Sequence, residues 1–341
     1  MDNFINSLAG KHVVLSGCGG GSDVLGSSVI YAQIKETARK VVFFNFSFSK
    51  TELLDATCVP ISPNCWRVDP CNVALEEDVE DRYGELGSGP CLVPATSGLA
   101  ALYPWVTAGC AARHAQRKAQ EKVYFPEARM ANVTGMAIYA FSHEVALKQE
   151  FVSYSCWKKR GADVLVLCDG GCDVLLTGLE SGLATPSEES ARARRIGRLG
   201  GWPETWRDMT HLKAILPLNI PQKYIAVLGA NVDCAHGVVP EELDHRLSDL
   251  EDSGTMLCSA PIAVDDLAGR YFEDLVLRCA PTSSIVQSLV LAAMQGYRGL
   301  YTPVHLRRRI MCSTVSLSDQ TRSLYVFHLD RVARDILYLE S

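Results

Sequence analysis

The chain has 341 residues, 48% of them hydrophobic and 21% charged, with a net charge of −6. That length allows one large α/β domain or two of ordinary size, and the apolar content assures a sizeable core. The negative balance argues against a general nucleic-acid binder, and no run of about 18 apolar residues is present to span a membrane.

The N-terminus, MDNFINSLAGK, has neither the apolar region of a signal peptide nor the arginines of a transit peptide. His12–Glu36 then carries the most informative pattern. Val13, Val14 and Leu15 read as a buried strand, Gly17, Gly19, Gly20 and Gly21 break it, and Val24 to Ile34 resumes with helical spacing. A strand, a glycine turn and a helix N-terminus make an anion site, because backbone N–H groups point outward and glycine lets a phosphate approach.

Lys40–Phe46 (KVVFFNF) is a second apolar strand, and Ser47–Leu54 a polar loop entering a short helix. Pro60 and Pro63 restrict Cys58–Trp66 to loop or edge strand. The acidic stretch Asn72–Gly84 reads as a solvated helix face. Cys91–Val93 reads as a short strand, Thr96–Tyr103 as a helical turn, and Val106–Gln120 as a helix. Thr134–Lys159 reads as mainly helical; its His143-Glu144 lacks the second histidine of a zinc protease.

Asp163–Cys168 opens the second half as a strand, and the sequence there repeats itself. Leu165–Leu175 (LVLCDGGCDVL) matches Leu15–Leu25 (LSGCGGGSDVL) at seven of eleven positions without a gap, 150 residues away. The shared Gly-Gly-x-Asp-Val-Leu core implies two equivalent strand-to-helix turns. Thr185, Pro186 and Glu188 mark a helix start, with Arg192, Arg194, Arg195 and Arg198 on its polar faces as salt-bridge partners.

Lys223–Gly229 is a further buried strand, followed by Asp233 and His236, and Pro240 opens a helix. Ser283–Gln295 is an apolar helix; Arg309–Val315 and Ser323–Leu329 alternate as strands; Asp330–Leu339 closes the chain as a helix. Strands alternating with helices imply a doubly wound, mainly parallel α/β sheet with Rossmann-like units. We expect one α/β unit over 1–341, with pseudo-equivalent halves at 1–160 and 161–341.

Ligands of such sheets bind beyond the carboxyl ends of the strands. The turns after Leu15, Leu167 and Leu228 should therefore open on one edge. This places Asp23, Asp169, Asp173, Glu180, Asp233 and His236 within reach of one crevice, with Gly19, Gly20, Gly21, Ser22, Gly170, Gly171, Cys172 and Ser187 lining the turns. Asp23 and Asp173 either cap helices or carry chemistry as Mg²⁺ ligands and proton-transfer groups. Their recurrence in one register favours a ligand site.

The pairing of GCGGGSDVLGS with DGGCDVLLTGLESGLATPSEE resembles the family called domain of unknown function 1152. GANVDCAHGVVPEEL and PTSSIVQSL are similar to its pattern too, so the resemblance covers most of the chain. It implies no established activity.

Residue chemistry leaves three readings. The first is an enzyme of Mg²⁺-assisted phosphate chemistry on a nucleotide or phosphorylated metabolite. The second is a sensing module without catalysis. The third is a nicotinamide or flavin oxidoreductase, weakened because Ser22 stands where a third glycine belongs and the second strand ends in Asn45 rather than an acid.

No Walker motif or hydrolase elbow occurs, and no pattern assigns a base to the possible nucleophiles Ser22, Ser187 and Cys172. Cys172 draws interest because a helix N-terminus lowers a thiol's pKa, although a small turn residue is its plainer identity. The thirteen cysteines are odd in number and lack any C-x-x-C pair, so reduced structural thiols in a cytoplasmic protein are expected.

Overall fold

Apolar runs with few charges must be buried on both faces, and here they pair side by side into one nine-stranded sheet. The computed structural model describes residues 1–18, 22–49, 51–70, 125–142, 154–177, 207–236, 238–279, 284–303 and 314–337. Its central strands are β1 (His12–Gly17), β2 (Lys40–Ser47), β5 (Ile138–Ser142), β6 (Val164–Asp169) and β7 (Gln222–Leu228). They run parallel in the order β5-β2-β1-β6-β7. Antiparallel strands complete both sides: β3 (Val59–Ser62) and β4 (Cys65–Val68) beyond β5, β11 (Ser323–His328) and β8 (Met256–Pro261) beyond β7. A separate ribbon joins β9 (Gly299–Tyr301) to β10 (Val315–Leu317).

Alternate residues of β1 serve opposite layers. Val13 and Leu15 pack with α1 (Asp2–Ser7), α2 (Ser28–Ile34), α4 (Pro126–Thr134), α7 (Leu267–Cys279) and α8 (Ile285–Met294). The short helix α3 (Thr51–Thr57) adds Leu54 to the same layer. Val14 packs with Tyr154, Trp157, α5 (Arg207–Ile215), α6 (Pro240–Asp252) and α10 (Leu329–Leu337). The short α9 (Asp319–Arg322) leads into β11. This is the doubly wound, Rossmann-like α/β fold that the alternation of strand and helix implied. No helix among the described residues is long and apolar enough to cross a membrane.

The strand order reverses between β1 and β6. The chain goes from β1 to β2 on one side and later returns to place β6 on the other. That reversal opens a crevice at the carboxyl ends, where doubly wound sheets bind their ligands.

The expectation of a mainly helical 134–159 fails over 136–142, holds at 154–159, and for 143–153 lies outside the described residues. Helix α4 ends at Gly135, whose φ of +69° suits glycine, and Ile138–Ser142 forms β5 against β2. The run Met136–Ser142 is apolar enough for either structure, and only the open edge of β2 decides it as a strand. Helices α4 and α7 and strand β8 also escaped the sequence pattern. The elements expected at Asn72–Gly84, Cys91–Val93, Thr96–Tyr103, Val106–Gln120 and Thr185–Leu199 lie outside the described residues, as does most of Arg309–Val315.

One buried cation ties a turn at the carboxyl edge to the outer helices. Arg246 of α6 donates from Nε to the carbonyl of Leu175 at 2.9 Å and faces Asp335 of α10 at 2.6 Å. Removing it strands a buried carbonyl, while the half-exposed Asp335 returns to water. Arg246→Ala is therefore expected to cost about 2–3 kcal/mol, read as a lowered urea midpoint at unchanged slope.

Candidate functional site

The two repeated stretches meet. Strands β1 and β6 pair with Val13 opposite Val164 and Gly17 opposite Cys168, and the Cys18 amide donates to the Cys168 carbonyl at 2.9 Å. Past these strands the chain makes the same 3₁₀ turn twice, Asp23–Leu25 and Asp173–Leu175. Val24 and Leu25 are buried in one layer, Val174 and Leu175 in the other. The repeat is thus one local conformation used on both faces of the sheet. Strand β7 ends likewise in a 3₁₀ segment, Ala230–His236, so all three turns open on one edge.

The helix does not follow the glycines directly. A 3₁₀ turn intervenes, and α2 starts only at Ser28 with Ser27 at its N-cap. Asp23 and Asp173 are the first residues of their turns, while Ser22 and Cys172 hold the cap positions without a side-chain cap bond. Neither aspartate occupies the N-cap position of its own 3₁₀ turn.

The second glycine turn is enclosed by carboxylates of the protein itself. A Cβ on Gly170 would lie 2.8 Å from Asp23 Oδ1, 3.2 Å from Val286 and 3.4 Å from Gln287. One on Gly171 would collide with the Asp233 carboxylate, which accepts from the Cys172 amide at 2.6 Å. The expectation of backbone N–H groups open to a phosphate therefore fails at Cys172, because Asp233 already takes that donor. The glycines are needed for close approach, but the approaching groups are side chains from the first turn, from the 3₁₀ segment after β7 and from α8.

Asp169 is buried at the end of β6, Asp23 is 7% exposed, and Asp173 and Asp233 are half-buried. Their charges reach the neighbouring thiols. Burial pushes Cys168 up, reinforced by Asp23 and Asp169; burial pushes Cys172 far up, reinforced by Asp233 and Asp173. Cys172 is fully buried, so the plainer reading of it as a packed turn residue holds and the activated nucleophile does not. The described cysteines are all free thiols.

Four carboxylates thus line one edge, although no three His, Cys, Asp or Glu side chains among the described residues converge as a metal centre. All-oxygen donors in ones and twos suit Mg²⁺, which keeps water and substrate oxygens for its other positions. His236 closes the 3₁₀ segment that carries Asp233. Gly19, Gly20, Gly21, Glu180 and Ser187 lie outside the described residues. An open groove of about 530 Å³ lined by Thr51, Asp55, Ile61 and Trp66 adjoins the outermost strands, away from these turns.

Two polar residues of this edge escaped the sequence pattern. Glu127, on the first turn of α4, is fully buried; its Oε1 accepts from Asn45 Nδ2 at 2.7 Å and its Oε2 from Ser49 at 3.2 Å. Asn45 in turn fills the place a Cβ on Gly17 would occupy. Gln287, on the first turn of α8, is 1% exposed and its Nε2 lies 3.5 Å from the Ser22 carbonyl. A lone glutamine within IVQSLVLAAM was the available signal for the second. Nothing in the sequence marks Glu127 as buried.

No protein-family model, curated protein or solved structure matches the chain. The resemblance to domain of unknown function 1152 rests on the quoted residues alone.

Two predictions follow from the geometry. Gly170→Val should overpack the site against Asp23 and Val286 and lower stability by about 2 kcal/mol or more, seen in thermal unfolding. Burial raises the Glu127 carboxyl above its usual 4.5, opposed by the hydrogen bonds it accepts. The folded protein then holds a proton that the unfolded chain releases. Its contribution is complete below 4.5 and is lost as pH rises through the raised folded value. Glu127→Gln should flatten that decline in a stability–pH profile; an unchanged slope would show that Glu127 stays ionised.

Proposed function

We propose that the crevice between the ends of β1 and β6 binds a nucleotide or phosphorylated metabolite and carries Mg²⁺-assisted phosphate chemistry. The observation behind this reading is the gathering of Asp23, Asp169, Asp173 and Asp233 at the reversal of strand order. A phosphate alone would be repelled by such an edge, whereas a phosphate bearing a divalent cation complements it. Asp173 and Asp23 would hold the ion, which supplies charge neutralisation at the transferred group. Asp169 and Asp233 brace the second turn.

A sensing role without catalysis is the second reading, favoured by the Asp233 bond to the Cys172 amide. An anion arriving at that amide would displace Asp233 and shift the segment leading into α6, a local exchange with a distant readout. The oxidoreductase reading loses ground, because Asn45 is turned inward onto Glu127 rather than toward a ribose. We further propose membership of the domain of unknown function 1152 family, which brings no activity with it.

The test is thermal unfolding with ATP, ribose 5-phosphate or NAD, each with and without Mg²⁺. A ligand at a hundred times its Kd should add about 2.7 kcal/mol of stability, and only when Mg²⁺ is present. Asp173→Asn should keep its melting temperature within about 4 °C and lose that Mg²⁺-dependent gain. Metal-free stabilisation by NAD would overturn the reading in favour of redox chemistry, and binding without turnover would leave the sensor.

A further inference from the structure

The amino ends of the central strands carry the opposite charge from their carboxyl ends. Lys11 precedes β1, Arg39 and Lys40 lead into β2, and Lys158, Lys159 and Arg160 lead toward β6. Strand pairing draws these segments together. Lys40 lies opposite His12, and its amide donates to the Lys11 carbonyl at 3.2 Å. On the other side of β1, the Asp163 amide donates to the His12 carbonyl at 2.9 Å, and the His12 ring faces the Gly161 carbonyl at 3.2 Å.

Lys11 is half-buried and the other five cations are exposed. The acids of these segments are Glu36 and Asp163, and Asp163 pairs with Arg39 at 3.0 Å. No ion pair among the described residues takes up Lys11, Lys40, Lys158 or Lys159. Burial and then the Lys40 charge hold the His12 imidazole below its ordinary value, and Arg39 adds to this, as a positive field requires. Lys158 and Lys159 end a helical stretch at 154–159, where cations complement the dipole. Lys11, Arg39 and Lys40 lie beyond the last turns of α1 and α2, so helix dipoles do not account for the cluster.

The form of this face selects among polyanions. Strands β2, β1 and β6 are paired on both sides, so no open strand edge awaits a peptide here. Arg160 already covers the rings of Tyr139 and Trp157, which removes them as platforms for stacked bases. None of the exposed large apolar side chains of the described residues belongs to these segments. What remains is clustered positive charge, which is all that attachment to anionic headgroups needs.

We propose that this amino edge docks on an anionic lipid surface and turns the carboxyl edge, with its aspartates, toward solvent. Such attachment requires no spanning segment. Strand β1 has six residues, so the two edges stand about 20 Å apart, more than two screening lengths at physiological salt. The acidic edge is thus screened from the surface, and the net charge of −6 does not oppose docking in this orientation. The attachment is independent of what the crevice binds.

The experiment is co-sedimentation of the full chain with vesicles of phosphatidylcholine, or of phosphatidylcholine and phosphatidylserine at 7:3, at about 50 mM and about 500 mM salt. Wild type should sediment with the phosphatidylserine vesicles at low salt and be released at high salt. Each Lys or Arg near such a surface strengthens attachment about fivefold, so Lys40→Glu, Lys158→Glu and Lys159→Glu together should weaken it at least about a hundredfold. The same three changes to glutamine should give an intermediate loss, and both variants should melt with wild type because the side chains are exposed.

Wild type left in solution with the phosphatidylserine vesicles, or sedimenting equally with phosphatidylcholine alone, overturns the proposal without any variant. Unchanged attachment in the charge-reversed protein overturns it as well. Tighter binding of a single-stranded RNA than of the vesicles, lost in the same variants, would reassign the face to nucleic acid.

Discussion

The parallel pairing of β1 with β6 is the constraint on which the rest depends. It joins residues 151 positions apart and fixes Gly17 opposite Cys168, so the two repeated turns leave the sheet within one residue of each other. Side chains alternate along a strand, and a slip of one residue would turn every buried residue of β1 to the opposite layer. It would also carry Asp23 away from Gly170. The remaining parallel strands are added outward from this pair, β2 and β5 on one side and β7 on the other.

Collecting carboxylates at one edge is unfavourable unless each finds compensation. Asp233 obtains it from the Cys172 amide, and Asp23 lies against a glycine that leaves it room. The two thiols enclosed there are held protonated by burial and by the surrounding negative charge. Such an edge selects what complements it, a cation or a group rich in donors. This makes the glycines look different from an open phosphate loop. In the second turn they admit the protein's own side chains, and any ligand must join or displace those groups.

Beside this edge lies a second polar centre, where Glu127 gathers Asn45 and Ser49 in the layer under α4. Asn45 links it to the first turn, because it packs directly against Gly17. A change in the charge of Glu127 would therefore be felt at the start of the crevice. The coupling path is short, one side chain between the buried carboxyl and the turn.

The sequence by itself determined the local elements and their repetition. Apolar runs such as Val13–Leu15 and Leu165–Leu167 must be buried strands, and glycines after them must end those strands; the shared Asp-Val-Leu adopts the same 3₁₀ turn in both places because its local chemistry is the same. The sharing of one sheet edge was also legible, since parallel strands with helical crossovers all point one way. The tertiary structure decided everything that depends on a neighbour. It made Ile138–Ser142 a strand because β2 offered an unpaired edge, filled the second turn with Asp23 and Asp233, and buried Glu127 and Gln287. Those outcomes depend on contacts between residues distant in the chain, which no periodicity or spacing within a single stretch encodes.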